Sequence, residues 1–423
     1  MKRSLSVILC ILLVISMLGA CGNKAAEPQP AAESAAQPVS EAAPEAPQEP
    51  EIPNTEGDHT YPDVVPEAIF RGVENYGKVD ASEIKAKGKD CYLFEFDGEV
   101  HNLAIRYKLG YEIQNQLMEG YRYSLSLDGN TVNDVELLDE MTEYEPVIQA
   151  EPGLKTLKNF LATCFEPMGT ALYVYGGNWD WQDEGSSIWA THIGVPGPWV
   201  DFYQSQDAHY AYADDYHPTI SYYPYGGWNE YFYAGTDCSG YAGWAVYNTL
   251  NTEDGHEGYV MGASRQGRVF AENYHLGEWT KDPFDTEEDP LQPGDMISTP
   301  THIWICVGKC DDGSIVAIHS TVTRSATGND GGGVQLSAVN PNGYKKDCEA
   351  YRLACEYTEK YFPDWYSRYP IVMKGYEKYV DFDRQYDNPG RFRWSLDGTT
   401  GLSDPDNYAS MTAAEVLADL FGE

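Results

Sequence analysis

Asp237-Cys238-Ser239-Gly240 is the run in this sequence with the clearest capacity for covalent chemistry. Beyond it, Tyr241, Trp244, Ala245 and Asn248 recur at helical spacing, so Cys238 stands at the start of a predicted helix. There the positive end of the helix dipole favours a thiolate and lowers the thiol pKa. A thiolate is the form that attacks a carbonyl carbon. A small buried cysteine on a packing helix is the competing reading, and this run alone leaves both open. Two predicted strands follow, His302 to Val307 and Ile315 to His319. In a hairpin symmetric about the 310/311 bond, Gly308 faces Gly313 and His302 faces His319. Directly opposed residues have β-carbons about 5 Å apart on one face. A second imidazole there would hold the first ring and fix its tautomer. Cysteine, base and orienting group together make a nucleophilic constellation.

These blocks stand in a fixed order. Tyr173-Val174-Tyr175-Gly176-Gly177 comes first, then Asp237-Cys238-Ser239-Gly240-Tyr241, Pro293-Gly294-Asp295, His302-Ile303-Trp304-Ile305-Cys306-Val307-Gly308 and Ile318-His319-Ser320. The series resembles the NlpC/P60 family of papain-like cysteine peptidases, which act on bacterial cell-wall peptides, over about residues 154–340. The resemblance implies an α+β fold in which a helix bearing the cysteine packs on an antiparallel sheet bearing both histidines. It implies Cys238 as nucleophile, His302 as general base and acid, and His319 as orienter. It places Tyr173, Asp237 and Ser239 beside the nucleophile as substrate-binding residues. It implies peptidoglycan stem peptides as substrate and neither cofactor nor metal. An amidase or acyltransferase would use the same residues. A glycan- or peptide-binding protein without catalysis is the reading from another class, and the intact triad is the feature that speaks against it.

The sequence departs from the family in one place. Sixty residues separate Gly177 from Cys238, where the family keeps the two close. This insertion, about 178–234, is rich in tyrosine, with nine between Tyr203 and Tyr233. Tyrosine supplies a flat face with a polar handle, suited to a substrate wall or to a local core that the insertion folds around itself.

The elements around these blocks read as follows. Residues 61–150 form a β-rich accessory region: Asp97-Gly98 joins Cys91–Phe96 to Val100–Ile105, and Asp128-Gly129-Asn130 joins Tyr121–Leu127 to Val132–Leu138. Residues 151–423 form the catalytic region. Leu154, Leu157, Leu161, Cys164 and Phe165 predict a helix, Val334 to Val339 a further strand, and Thr412 with Glu415 a capping box before Val416–Phe421.

Residues 1–20 read as a secretory leader: Lys2 and Arg3, then an apolar run too short to span a bilayer. Leu18-Gly19-Ala20-Cys21 resembles the bacterial lipobox, which implies a lipid-modified Cys21 at the mature N-terminus. The expected location is extracytoplasmic and membrane-anchored. Residues 21–60, rich in Ala, Pro and Glu, cannot bury enough apolar surface to offset their ordering entropy and read as a tether.

Lys plus Arg total 28 against 66 Asp plus Glu, a net charge of -38. A nucleic-acid partner is excluded on that balance, because phosphates need a basic face. His59, His101, His192, His209, His217, His256 and His275 lack the H-E-x-x-H spacing of a zinc peptidase and read as structural or surface residues. The five acids within Asp282–Asp289 offer oxygen ligands for calcium, but a solvated loop is the preferred account of them. Cys91, Cys164, Cys306, Cys310, Cys348 and Cys355 permit disulfides without choosing a pairing, and Cys306 is expected to be buried and unreactive.

Overall fold

The computed structural model describes residues 60–73, 90–105, 117–179, 185–212, 234–381 and 389–423. The leader, Cys21, the tether, His59, His217 and positions 213–233 of the insertion lie outside the described residues, as does the side chain of Cys91.

The accessory region is a closed barrel of five strands. β1 (Val64–Val73), β2 (Asp90–Phe96), β3 (Glu99–Ile105), β4 (Arg122–Asp128) and β5 (Thr131–Leu137) run in the order β1-β2-β3-β5-β4, and β4 pairs back onto β1. Both expected hairpins form. Asp97 and Gly98 take φ of 53° and 80°, the left-handed pair that a tight β-turn requires. Strict alternation builds the interior: Tyr123, Leu125 and Leu127 are buried while Ser124 and Ser126 between them are half-buried. The hydroxyls of Tyr121 and Thr142 both bond the carboxylate of Asp201, tying the barrel's surroundings to the insertion.

The second sheet has seven strands: β6 (Gly277–Lys281), β7 (Met296–Ser298), β8 (Ile303–Lys309), β9 (Ile315–Arg324), β10 (Asp330–Asn340), β11 (Val372–Gly375) and β12 (Gly390–Trp394). Their order is β11-β10-β9-β8-β7-β12-β6, antiparallel throughout except where β11 joins β10 in parallel. Eight helices are described: α1 (Leu157–Phe165), α2 (Gly197–Ser205), α3 (Cys238–Leu250), α4 (Ala263–Glu272), α5 (Glu349–Tyr361), α6 (Pro363–Arg368), α7 (Tyr376–Tyr379) and α8 (Ala413–Leu420). The architecture is therefore mixed α+β.

Alternation along β8, β9 and β10 splits the apolar side chains between two cores. Ile303, Ile305, Val316, Ile318, Leu336 and Ala338 share the larger core with Tyr241, Ala242 and Ala245 of α3. Trp304, Cys306, Ile315, Ala317 and Val339 face the other way, into a smaller core with Phe284, Ile297 and Val380. Each fully buried large side chain contributes about 1.5–3 kcal/mol. Cys306 is wholly buried there, as expected, and burial pushes its thiol pKa far up.

Helix α1 starts at Leu157 rather than Leu154, because the Thr156 hydroxyl accepts the N–H of Asn159 and caps it. The capping box of Thr412 and Glu415 forms as expected.

The β8–β9 register corrects the symmetric hairpin. Ile305 pairs with Ile318, Cys306 with Ala317, and Gly308 with Val316. Gly313 adopts φ of 81°, and the Cys310 N–H bonds the Ser314 carbonyl, so Asp311, Asp312 and Gly313 form the turn. A turn of this kind with a left-handed glycine slides the register. An irregularity between Cys306 and Gly308 takes back one residue of that shift. Carried back along the strand, the pairing puts Trp304 rather than His302 opposite His319.

Candidate active site

Cys238 is the first residue of α3, and Asp237 is its N-cap. The Asp237 carboxylate accepts the N–H of Gly240 at 2.7 Å and the Ser239 hydroxyl at 2.9 Å. Trp179, from the start of the insertion, donates its indole N–H to Asp237 at 3.1 Å and to Ser239 at 3.3 Å. The side chains of Asp237 and Ser239 are thus engaged in holding the helix start. The sixty-residue insertion does not part the two blocks. A β-carbon on Gly240 would run into the carbonyl oxygen of Gly177, and one on Gly177 would meet the backbone of Gly235 and Thr236. Only glycines permit this approach, which explains the Gly-Gly and Ser-Gly pairs. Thr236 is held from both sides: its carbonyl accepts the Val174 N–H and the Ser320 hydroxyl.

Tyr173 lies near Cys238: burial first, and then the charge of Cys238, push its hydroxyl pKa far up. Tyr210 donates its hydroxyl to the Tyr173 carbonyl at 2.7 Å, and the Tyr212 ring stands edge-on to Tyr173 with centroids 5.3 Å apart. Of the described tyrosines of the insertion, Tyr212 stands against Tyr173, whereas Tyr203 and Tyr210 are both buried in the larger core, Tyr203 stacked on Trp365 and Tyr210 edge-on to Phe202.

The two histidines meet despite the corrected register. His302 lies one residue ahead of β8, and its Nε2 is 2.7 Å from His319 Nδ1. Diagonal neighbours across a hairpin lie within reach of long side chains, and that is how these rings touch. His319 Nε2 is in turn 2.7 Å from the Ser337 hydroxyl on β10. In the orientation where His302 Nε2–H donates to His319 and His319 Nε2–H donates to Ser337, His302 Nδ1 keeps a lone pair and can act as a base. The N–H of Ile303, the residue after His302, bonds the sulfur of Cys238. The sulfur thus lies against the backbone next to His302, and the two imidazoles and the Ser337 hydroxyl form a bonded run.

The electrostatics overturn one expectation. Burial, reinforced by neighbouring Asp237, pushes the Cys238 thiol up to about 12, outweighing the N–H bonds from Ile303 and the helix start. Cys238 is only 6% exposed, so loss of hydration exceeds what the helix terminus returns. Burial and then the Lys374 ammonium bring His302 down to about 3, and burial, then His302, then Lys374 hold His319 well below its ordinary value. At rest the thiol and both imidazoles are neutral. Asp237 is pushed up to about 6 by its own burial, against the bonds it accepts.

Two residues here belong to no sequence motif. The Tyr379 ring of α7 packs against His302 at 5.7 Å, His319 at 6.0 Å and Trp304 at 5.8 Å between centroids. Lys374 of β11 places its Nζ 5.3 Å from the centre of that ring. Both arrive after a long helical excursion, so no local spacing points to them. Ser337 was legible in principle, as a polar residue alternating with apolar ones along a predicted strand.

The remaining candidates have structural roles. His101 stacks on Phe96 inside the barrel, His192 pairs with Asp254, and His209 pairs with Asp207. In the acidic loop, Asp285 holds Lys309 while Asp289 holds Arg391 and Arg393. Asp295, of the Pro-Gly-Asp block, is fully buried against Arg393 at 2.7 Å. Cys310, Asp312 and Glu349 bring possible metal ligands within 4.8 Å of one another. Asp312 is already spent there, accepting the Glu349 N–H at 2.7 Å and the Ser314 N–H at 2.9 Å to dock the hairpin tip on α5. The described cysteines are all free thiols. A cleft of about 540 Å³ beside His275, Glu278 and Arg393 contains none of the predicted site residues. Among the described residues, no helix is long and apolar enough to cross a membrane.

Comparison with protein-family models, with curated proteins and with solved structures returned no match for the chain.

Proposed function

We propose that this protein is a cysteine peptidase that hydrolyses amide bonds in peptidoglycan stem peptides, with a papain-like arrangement of the NlpC/P60 kind. The observation that carries the reading is the bonded run of His302, His319 and Ser337, with the sulfur of Cys238 at the start of α3 held by the N–H of Ile303, the residue next to His302. Because the resting thiol is neutral, His302 Nδ1 takes the Sγ proton as sulfur attacks the amide carbonyl carbon. The N–H of Cys238 at the helix start stabilises the oxyanion. As the tetrahedral intermediate collapses, the C–N bond breaks and His302 returns its proton to the leaving amine. Water then attacks the thioester, giving its proton to His302, and the carboxylic acid and the thiol are released. His319 accepts from His302 throughout and stabilises the imidazolium. On this reading Cys21 carries a lipid that anchors the protein outside the cytoplasm.

A binding protein without catalysis is the second reading, and the burial of Cys238 favours it. One experiment separates them: digestion of purified muropeptides by the wild type and by Cys238→Ala, followed by mass spectrometry. Fragments released by the wild type alone are expected. Equal release by the two proteins refutes the peptidase reading.

A further inference from the structure

Lys374 stands out among the cations of the structure. Acidic partners hold Lys158, Lys309, Arg391 and Arg393, yet no acid pairs with Lys374 among the described residues. It is half-buried on β11, opposite Val339 of β10, so its neighbour across the sheet supplies no charge. Its ammonium rests on the ring of Tyr379, and the same ring packs on both His302 and His319. Taking a cation partly out of water with no counter-charge is costly, and burial with neighbouring Lys378 brings its pKa down to about 8. A carboxylate arriving beside it would remove that cost and form a charge-assisted hydrogen bond.

We propose that Lys374 is a specificity-determining residue of this site and anchors a free carboxylate carried by the substrate next to the scissile amide. The inference rests on the peptidase reading and narrows its substrate: an amide flanked by a free carboxylate is preferred over one flanked by a carboxamide. The aromatic face of Tyr379 positions the ammonium while the imidazoles, uncharged, leave it the positive group of the site. When Lys374 is occupied, its repulsion of the imidazolium is offset, so the same carboxylate helps His302 carry the proton.

The groups facing Lys374 set the pH behaviour. They are Lys378 and Tyr379 from α7, His302 ahead of β8 and His319 on β9. The imidazoles are neutral above pH 6 and Tyr379 is protonated throughout, so discrimination follows the charge of Lys374 itself. It fades as pH rises through about 8.

The test uses two synthetic peptides alike except that the carboxyl beside the amide is free in one and a carboxamide in the other. Their binding is measured by calorimetry on full-length Cys238→Ala, alone and combined with Lys374→Met or Lys374→Arg, with thermal melts confirming that each protein is folded. At pH 7 we expect Cys238→Ala to bind the carboxylate peptide about tenfold tighter. Lys374→Met should bring the ratio to about one. Lys374→Arg should keep it, and keep it at pH 9 where lysine has lost it, because a guanidinium stays charged. A ratio of one in Cys238→Ala, or an unchanged ratio in Lys374→Met, overturns the assignment. If the binding preference is found and the wild type cleaves neither peptide, the Lys374 assignment stands and the peptidase reading falls.

Discussion

A β-carbon on Gly177 would stand 2.8 Å from the α-carbon of Thr236. That is closer than real β-carbons approach, so the tyrosine block and the segment leading into Cys238 touch backbone to backbone. Gly177→Ala should therefore overpack the junction and lower stability by about 1–3 kcal/mol. Displacing the reacting sulfur by about 1 Å should also cost on the order of 100-fold in turnover. Urea unfolding and muropeptide digestion check the two parts. A denaturation midpoint equal to that of the wild type would show that the segment yields at no cost.

The His302–His319–Ser337 run gives a graded series. His302→Ala removes the base and should lower turnover by about 10²–10⁴-fold. His319→Ala leaves the base present and unoriented, with a smaller loss in kcat. Ser337→Ala removes a single hydrogen bond of about 1 kcal/mol and should cost a few-fold. Steady-state kinetics on a muropeptide should return that order, with KM little changed. Equal losses at His319 and Ser337 would contradict it.

Stability should respond to acid through the same pair. The unfolded chain protonates its histidines near pH 6.5, whereas folded His302 resists until about 3. Their contribution is fully present above pH 6.5 and is lost as pH falls toward 3. Asp237 acts in the opposite sense: raised to about 6, its contribution holds below the ordinary carboxylate range and is lost as pH rises through 6. A comparison isolates the histidines. The drop in Tm between pH 7 and pH 4 should be smaller in the His302→Gln, His319→Gln double variant than in the wild type. Parallel Tm curves would show that the imidazoles are not held neutral.

Thiol chemistry tests the resting state. Among the described cysteines Cys355 is half-exposed and Cys238 is buried with its pKa pushed up to about 12. Iodoacetamide at pH 7, followed by peptide mass mapping, should modify Cys355 well before Cys238, and labelling of Cys238 should climb with pH. Cys238 labelled first at pH 7 would mean an ion pair already formed at rest.

Much of this arrangement was legible in the sequence where short-range spacing governs it. The 3.6-residue period after Cys238 gave the helix, Asp-Gly pairs gave the barrel hairpins, and Thr412 with Glu415 gave the last helix start. The histidine contact was expected for a reason that proved incomplete. The rings meet diagonally, because the conformation of Gly313 and an irregularity near Val307 both shift the strand pairing. Such shifts depend on turn geometry that residue types alone leave open. The thiol pKa lies above what the helix start implies, because the helix terminus is a local feature while burial of Cys238 depends on the whole fold. Lys374 and Tyr379 lay beyond any local rule, since a parallel strand arriving from across the chain brings them to the histidines.

The approach of Gly177 to Gly235 has a consequence for chain length. Where the insertion leaves and where it returns are the same point in space, so it is a loop closed at its neck. The entropy of closing such a loop grows only with the logarithm of its length, about 0.6 kcal/mol for each doubling. From the standpoint of the cysteine, a connection of about ten residues and a sixty-residue one differ by between two and three such doublings, about 1.5 kcal/mol. The neck, built from two glycines, is what lets the segment between them vary in length and composition while the sulfur keeps its place.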